Sequence, residues 1–280
     1  MKYIIAVLVC CLVLASCGII GKQKKQGQGI VSLIPSATEI ICALGHEADL
    51  TGVTTYCTYP PEAIARITKV GDCINPNLEA IVRLRPAYVF AGDMQKEVAS
   101  KLRGLGLRTV VLPEQRLDDI YASITEIGRL LGCPERATAL VRSVRDSLMA
   151  LANKQPGEKK KRVLLVVGRD SDNLTNIFTV NRNTFLSELL DIAGGESVFD
   201  DAAMVWASIS VEEIIRRNPE YVIELTSDSM GTALWQRLGS VSAVKQNHVH
   251  ALTSDFVFIP GPRVVETARL LQEILCRGEQ

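Results

Sequence analysis

The sequence predicts an α/β chain of two similar lobes with parallel-rich sheets, joined by a single long α-helix and leaving a ligand cleft between them. Three observations predict it. Short apolar runs alternate with amphipathic stretches from residue 30 onward, the pattern of strands followed by helices. Residues 77–90 align without gaps on residues 210–223, with six of 14 positions identical, so the two halves share one plan. Between the copies, residues 117–153 carry helical periodicity and no strand signal.

Taken in order, Ile30 to Ile34 reads as a strand, and Pro35 with the capping box Ser36-Ala37-Thr38-Glu39 opens a helix that Gly45 ends. Asn77 caps a helix running to Pro86, followed by a strand from Tyr88 to Ala91, another helix, and a strand from Thr109 to Leu112. These make a first lobe of residues 30–115. The connecting helical segment, residues 117–153, is broken at Gly132-Cys133-Pro134 and continues as a run from Glu135 to Asn153. Val163 to Val167 has the pattern of a buried strand and begins a second lobe, residues 160–276. A second match, residues 38–45 on 187–194, falls at a different offset, so the first lobe carries extra residues between Gly45 and Asn77. Strand ends and helix starts face such a cleft, where a ligand is the default expectation.

With 47% apolar residues and 31 basic against 31 acidic side chains, the chain has the composition of a globular protein and no charge footprint for nucleic acid. Its one continuously apolar stretch, Ile4 to Leu14, is 11 residues long. A bilayer-spanning helix needs about 20, which excludes a permease. Residues 1–16 read instead as a lipoprotein signal peptide: Lys2, the apolar run, then Leu14-Ala15-Ser16-Cys17, which matches the bacterial lipobox. The match implies a lipidated Cys17 and a flexible tether over residues 17–29, hence an extracytoplasmic lipoprotein held at a membrane by its N-terminal lipid. No CxxC pair occurs, so the thiols read as small buried side chains.

Catalytic chemistry finds little support. No HExxH, Walker loop, nucleophile elbow or strand-linked GxGxxG is present. His248 and His250 stand at i, i+2 on one face of a strand, two ligands where a closed zinc site needs four, so no catalytic or metal site is assigned. Aromatic and sulfur side chains do gather near strand ends: Tyr56, Tyr59, Met94, Phe178, Met204, Trp206, Phe256 and Phe258. Alternation places Phe256 and Phe258 on one face.

At these residues the chain resembles the bacterial substrate-binding proteins of the helical-backbone type, which serve ABC importers of cobalamin, haem and ferric siderophores. The resemblance runs from Ile30 to about Cys276 and rests on residues 32–39 (SLIPSATE), 70–79 (VGDCINPNLE), 253–255 (TSD) and 261–263 (GPR). It implies two Rossmann-like lobes on one long helix, a cleft that closes only slightly, an ABC permease dimer as partner, and a monomer. Residues 54–61 (TTYCTYPP) and 253–256 (TSDF) are most similar to the cobalamin-binding members. Carried over, Tyr56, Phe178, Trp206 and Asp255 line a corrinoid pocket, with Cys73 and Gly92 at two positions that hold tryptophan in the best-known cobalamin binder. The implied cargo is cobalamin or a related corrinoid, with no covalently bound cofactor. The alternative is a ferric siderophore, for which Arg169, Arg182 and Arg263 are the candidate cations, or haem, whose binders often place a tyrosine where this chain has Asp72 and Cys73. A processing enzyme using the two histidines, and a surface protein whose cleft grips a partner segment, are more distant readings. Glu79 and Glu212 occupy equivalent places in the repeat, each in the first turn of its helix. Each complements a helix dipole. In importers of the class, the corresponding glutamates dock onto arginines of the two permease subunits.

Overall fold

The computed structural model describes residues 27–154, 159–226 and 232–277. The apolar N-terminal run, Cys17 and the tether up to residue 26 lie outside the described residues. Within them, no helix is long and apolar enough to cross a membrane.

The first sheet contains β1 (Ile30–Ser32), β2 (Leu50–Val53), β3 (Thr68–Lys69), β4 (Tyr88–Gly92) and β5 (Thr109–Leu112), all parallel, in the order β3-β2-β1-β4-β5. The helices α1 (Pro35–Ala43), α2 (Pro61–Ile64), α3 (Leu78–Leu84) and α4 (Lys96–Gly104) connect them. In the second sheet, β6 (Lys161–Gly168) runs parallel to β8 (Gly195–Ser197) and β10 (Tyr221–Thr226), and β10 to β11 (Val249–Thr253). Its helices are α7 (Phe185–Ile192), α8 (Val211–Arg217), α9 (Ser242–Lys245) and α10 (Val264–Arg277). The order β8-β6-β10-β11 repeats the order β2-β1-β4-β5. To this plan the second lobe adds β7 (Ile177–Val180) and β9 (Trp206–Ile209), paired antiparallel to one another at the end of β6.

The repeat extends to the dihedral angles. Asn77 and Ser210 accept the backbone N–H of Ala80 and Glu213 at 2.9 and 3.2 Å, and the helices end at Arg85 and Asn218, both left-handed, with φ of 48° and 44°. The second match also holds: α1 and α7 are followed by Gly45 and Gly194, whose positive φ suits a residue without a Cβ.

Residues 117–153 form two helices, α5 (Leu117–Leu130) and α6 (Pro134–Ala152), because Gly132 turns left-handed and Pro134 starts the second. The long linking helix is α6, 19 residues and about 28 Å. It buries Ala137, Val144, Leu148 and Leu151 on one stripe, packing on α5 and on α7 and α10. One core therefore runs through both lobes, including Ile40 of the first, Ile124 of the linking segment, and Leu189 and Leu271 of the second. Each sheet also buries its opposite face, Val31 and Val89 in one lobe and Leu164 and Val222 in the other.

Two expectations need correction. The capping box is not one: Ile34 is the N-cap and makes no side-chain bond, since Pro35 already occupies the first turn. Ser36, Thr38 and Glu39 bond instead to Glu114, Ser32 and Arg263. Phe256 and Phe258 do not alternate on a strand, because β11 ends at Thr253 and a turn follows; Phe256 packs on the core while Phe258 stays partly exposed. The strands β2, β3, β7, β8 and β9 are additions to the elements that the sequence predicts.

Candidate functional site

The carboxyl ends of β4 and β5 open on a groove between the lobes. A cavity of about 260 Å³ lies there. Lobe one supplies Asp93 and Met94, just after β4, and Glu114 and Gln115, just after β5; lobe two supplies Trp206 and Phe258 among others. This is where an open parallel sheet places a ligand, because chain segments leaving the strand ends diverge there. A larger hollow of about 390 Å³, between α5, α7 and β8, is rimmed by Asp118, Glu188, Asp191 and Asp200 and lies away from those strand ends. The position at the strand ends, rather than size, makes the 260 Å³ cavity the candidate site.

Two sets of contacts frame the groove. On one side the chain leaving β5 crosses to α7: the Phe185 N–H donates to the Gln115 carbonyl at 2.7 Å, while Arg116 and the Leu117 N–H donate to Glu188. On the other, Arg263 donates to both carboxylate oxygens of Glu39 at 2.6 and 3.0 Å, across 224 residues of sequence. Its guanidinium also lies 3.9 Å from the centre of the Tyr59 ring. Burial pushes the Glu39 carboxyl above its ordinary range, with Arg263 pulling the other way.

Of the residues singled out in the sequence, Trp206 lines the cavity, half exposed at 50%. Phe178, on β7, stands on the same sheet face: Phe178 pairs with Ser208 and Val180 with Trp206. Phe178 and Tyr56 are exposed and fall outside the cavity lining. Gly92 borders it indirectly, because a Cβ built there would overlap the Glu114 carboxylate. Cys73 is half-buried, and its carbonyl accepts the Gln95 side-chain amide at 2.6 Å. Asp255 sits outside the cavity and accepts from Arg263 at 3.3 Å. The arginines considered for an anionic cargo are engaged: Arg169 pairs with buried Glu224, Arg182 donates to the Asp200 carbonyl, and Arg263 holds Glu39. His248 stacks on Tyr221 at 4.3 Å and His250 flanks the same ring. Among the described residues no three His, Cys, Asp or Glu side chains are placed to hold a metal, and Cys42, Cys57, Cys73 and Cys133 are free thiols.

Glu114 and Gln95 escaped the sequence reading. Burial pushes the Glu114 carboxyl up and Asp93 adds to the shift, while the Ser36 hydroxyl at 2.7 Å opposes it. Gln95 is buried and ties three segments together, accepting from the Gly92 N–H and donating to the Leu33 and Cys73 carbonyls. Glu114 lies two residues and Gln95 four residues past a predicted strand end, which is the available signal.

Residues 30–256 match the family model described as periplasmic binding protein. The chain belongs to that family. Across 261 residues it is 31% identical to an uncharacterized ABC transporter substrate-binding lipoprotein, YvrC, of Bacillus subtilis, covering 89% of this chain and 80% of the relative. It is 30% identical over 240 residues to a vitamin B12-binding protein of Vibrio parahaemolyticus, covering 84% and 85%. A solved structure of a possible iron-binding (periplasmic solute-binding) protein from Staphylococcus epidermidis superposes with a TM-score of 0.79 at 29% identity, covering 90% of this chain and 99% of that one. Two α/β lobes with parallel-rich sheets thus match the fold of solved periplasmic binding proteins.

Proposed function

We propose that this chain is the extracytoplasmic, lipid-anchored substrate-binding component of an ABC importer, that it carries cobalamin or a related corrinoid in the interlobe cleft, and that it releases the cargo unchanged to a permease dimer. The observation that carries this reading is the composition of the cleft wall: Met94, Phe185, Trp206 and Phe258 offer apolar surface, and among the described residues no cationic side chain lines the cavity. A corrinoid is larger than 260 Å³, and in this proposal the remainder of its surface meets Tyr56 and Phe178, both of which are exposed. Burying about 300 Å² of macrocycle contributes about 7 kcal/mol, which offsets much of an association cost of about 4 to 15 kcal/mol. The B12-binding name of a 30% identical relative supports the same cargo. The engaged arginines argue against an anionic siderophore.

Glu79 and Glu212 are the docking groups of this proposal. Both are exposed, in the first turn of α3 and α8, whose N-caps and left-handed ends match. Hydrogen bonds from its own backbone and from Ser210 lower the Glu212 carboxyl, which favours the charged form. Exposed ion pairs are worth about 0.2 to 1 kcal/mol each, enough to align a carrier that must also leave. The test is calorimetry and visible absorbance on the chain in detergent micelles with cyanocobalamin, haemin and ferric chelates. One-to-one binding of cyanocobalamin alone supports the proposal; binding of a ferric chelate or haemin in its place removes it.

A further inference from the structure

The two walls of the cleft differ in chemistry. Lobe two presents Phe185, Val205, Trp206 and Phe258, whereas lobe one presents Asp93, Glu114 and Gln115 beside the single apolar Met94. The two acids are not equivalent. Asp93 carries Lys96 at 2.8 Å, and both side chains are exposed, but Glu114 makes no ion pair among the described residues. Its carboxylate is nonetheless held in place. The Ser36 hydroxyl donates to it at 2.7 Å, and the bare Gly92 leaves the space it fills.

The segment around it is pinned at both sides. Ser123 donates to the Pro113 carbonyl at 3.1 Å, the Gln115 N–H donates to Asp119 at 3.0 Å, and the Gln115 carbonyl accepts from Phe185 at 2.7 Å. A fixed acceptor loses little freedom when a ligand arrives, so its hydrogen bonds translate into affinity. A ligand anion at the same place meets a carboxylate with no cation bonded to it.

We infer that Glu114 is the specificity-determining residue of the lobe-one wall: it accepts N–H bonds from a cargo edge bearing carboxamides or amines, and it rejects an edge bearing carboxylate or catecholate oxygens. This role rests on the corrinoid reading for the size and apolar faces of the cargo, and goes beyond it by naming the residue and the excluded chemistry. A corrin periphery carries carboxamides, which meets the requirement. Burial raises the Glu114 carboxyl and the Ser36 hydroxyl opposes it; the preference for amide over acid belongs to the ionised side chain, so it should fade as pH drops and Glu114 takes up a proton.

The test compares ligands that differ only at the periphery. Wild type, Glu114→Gln and Glu114→Lys, each full length in micelles and checked by circular dichroism, are titrated with cyanocobalamin and with its derivatives in which a side-chain amide is hydrolysed to carboxylate. Haemin and its bis-amide form a second pair. A hydrogen bond to a charged group corresponds to about tenfold to a hundredfold in affinity, so wild type is expected to prefer the amide member by that factor. Glu114→Gln should keep the amide ligand within a few fold and lose the preference; Glu114→Lys should reverse it. Equal wild-type affinity for acid and amide overturns the inference whether or not either variant folds. Preference for the amide within the haem pair, with no corrinoid bound, upholds the role of Glu114 and removes the corrinoid; binding of no member of either pair removes both.

Discussion

Replacing Arg263 by methionine leaves the Glu39 carboxyl buried without its partner. The Glu39 side chain is 3% exposed and that of Arg263 14%, so the bridge belongs to the interior and not to the surface pairs worth about 0 to 1 kcal/mol. Breaking a buried pair by removing one member costs about 3 to 5 kcal/mol, and loss of the stack on Tyr59 adds about 0.5 to 2 kcal/mol. With a urea slope of about 2 kcal/mol per molar, the midpoint should fall by about 2 M. The double variant Glu39→Gln with Arg263→Met removes the stranded charge and should recover at least about 1.5 kcal/mol of that loss, a coupling that a double-mutant cycle isolates. The pH dependence has a definite sign. Burial already raises the folded-state pKa of Glu39, and losing Arg263 raises it further, so the stabilising form of the variant is the protonated acid. Its deficit should be small below the ordinary carboxylate range and grow as pH rises through the raised pKa. A midpoint within about 0.5 M of wild type, strictly additive single variants, or a deficit that shrinks with rising pH would each refute the buried-pair account.

Three further outcomes follow from the site and the repeat. Trp206→Ala should weaken cyanocobalamin binding about 60-fold by calorimetry, since about 100 Å² of its surface remains to be buried at about 25 cal/mol per Å²; an unchanged affinity removes it from the site. Glu79→Lys with Glu212→Lys should abolish uptake by cells while ligand affinity stays the same, and normal uptake would eliminate docking through these residues. Asn77→Ala and Ser210→Ala should each lower stability by about 1 kcal/mol in urea melts, with similar values for the two because the caps are equivalent.

Much of the fold was legible because periodicity and caps are local. The match of residues 77–90 to 210–223 extends to the N-cap bonds and to left-handed Arg85 and Asn218, features fixed within a few residues of sequence. What failed was local grammar overruled by distant partners. Ser36 and Glu39 have the spacing of a capping box, yet one bonds to Glu114 and the other to Arg263, 224 positions away. Nothing in the segment itself announces either partner. The site was legible only in part for the same reason. Trp206 and Met94 were visible as apolar residues near strand ends, while Glu114 became apparent only when Gly92 and Ser36 were seen to make room for it and bind it. Asp255, carried over as a pocket residue, lies outside the cavity lining and accepts from Arg263 at 3.3 Å.

The most direct measurement is a crystal structure of the protein loaded with cyanocobalamin. Density for the corrin lying against Trp206 and Phe258, with its amide edge toward Glu114, is the predicted result. Density in the acidic hollow beside α5 and α7, or on the outer surface of either lobe with the groove empty, would contradict it.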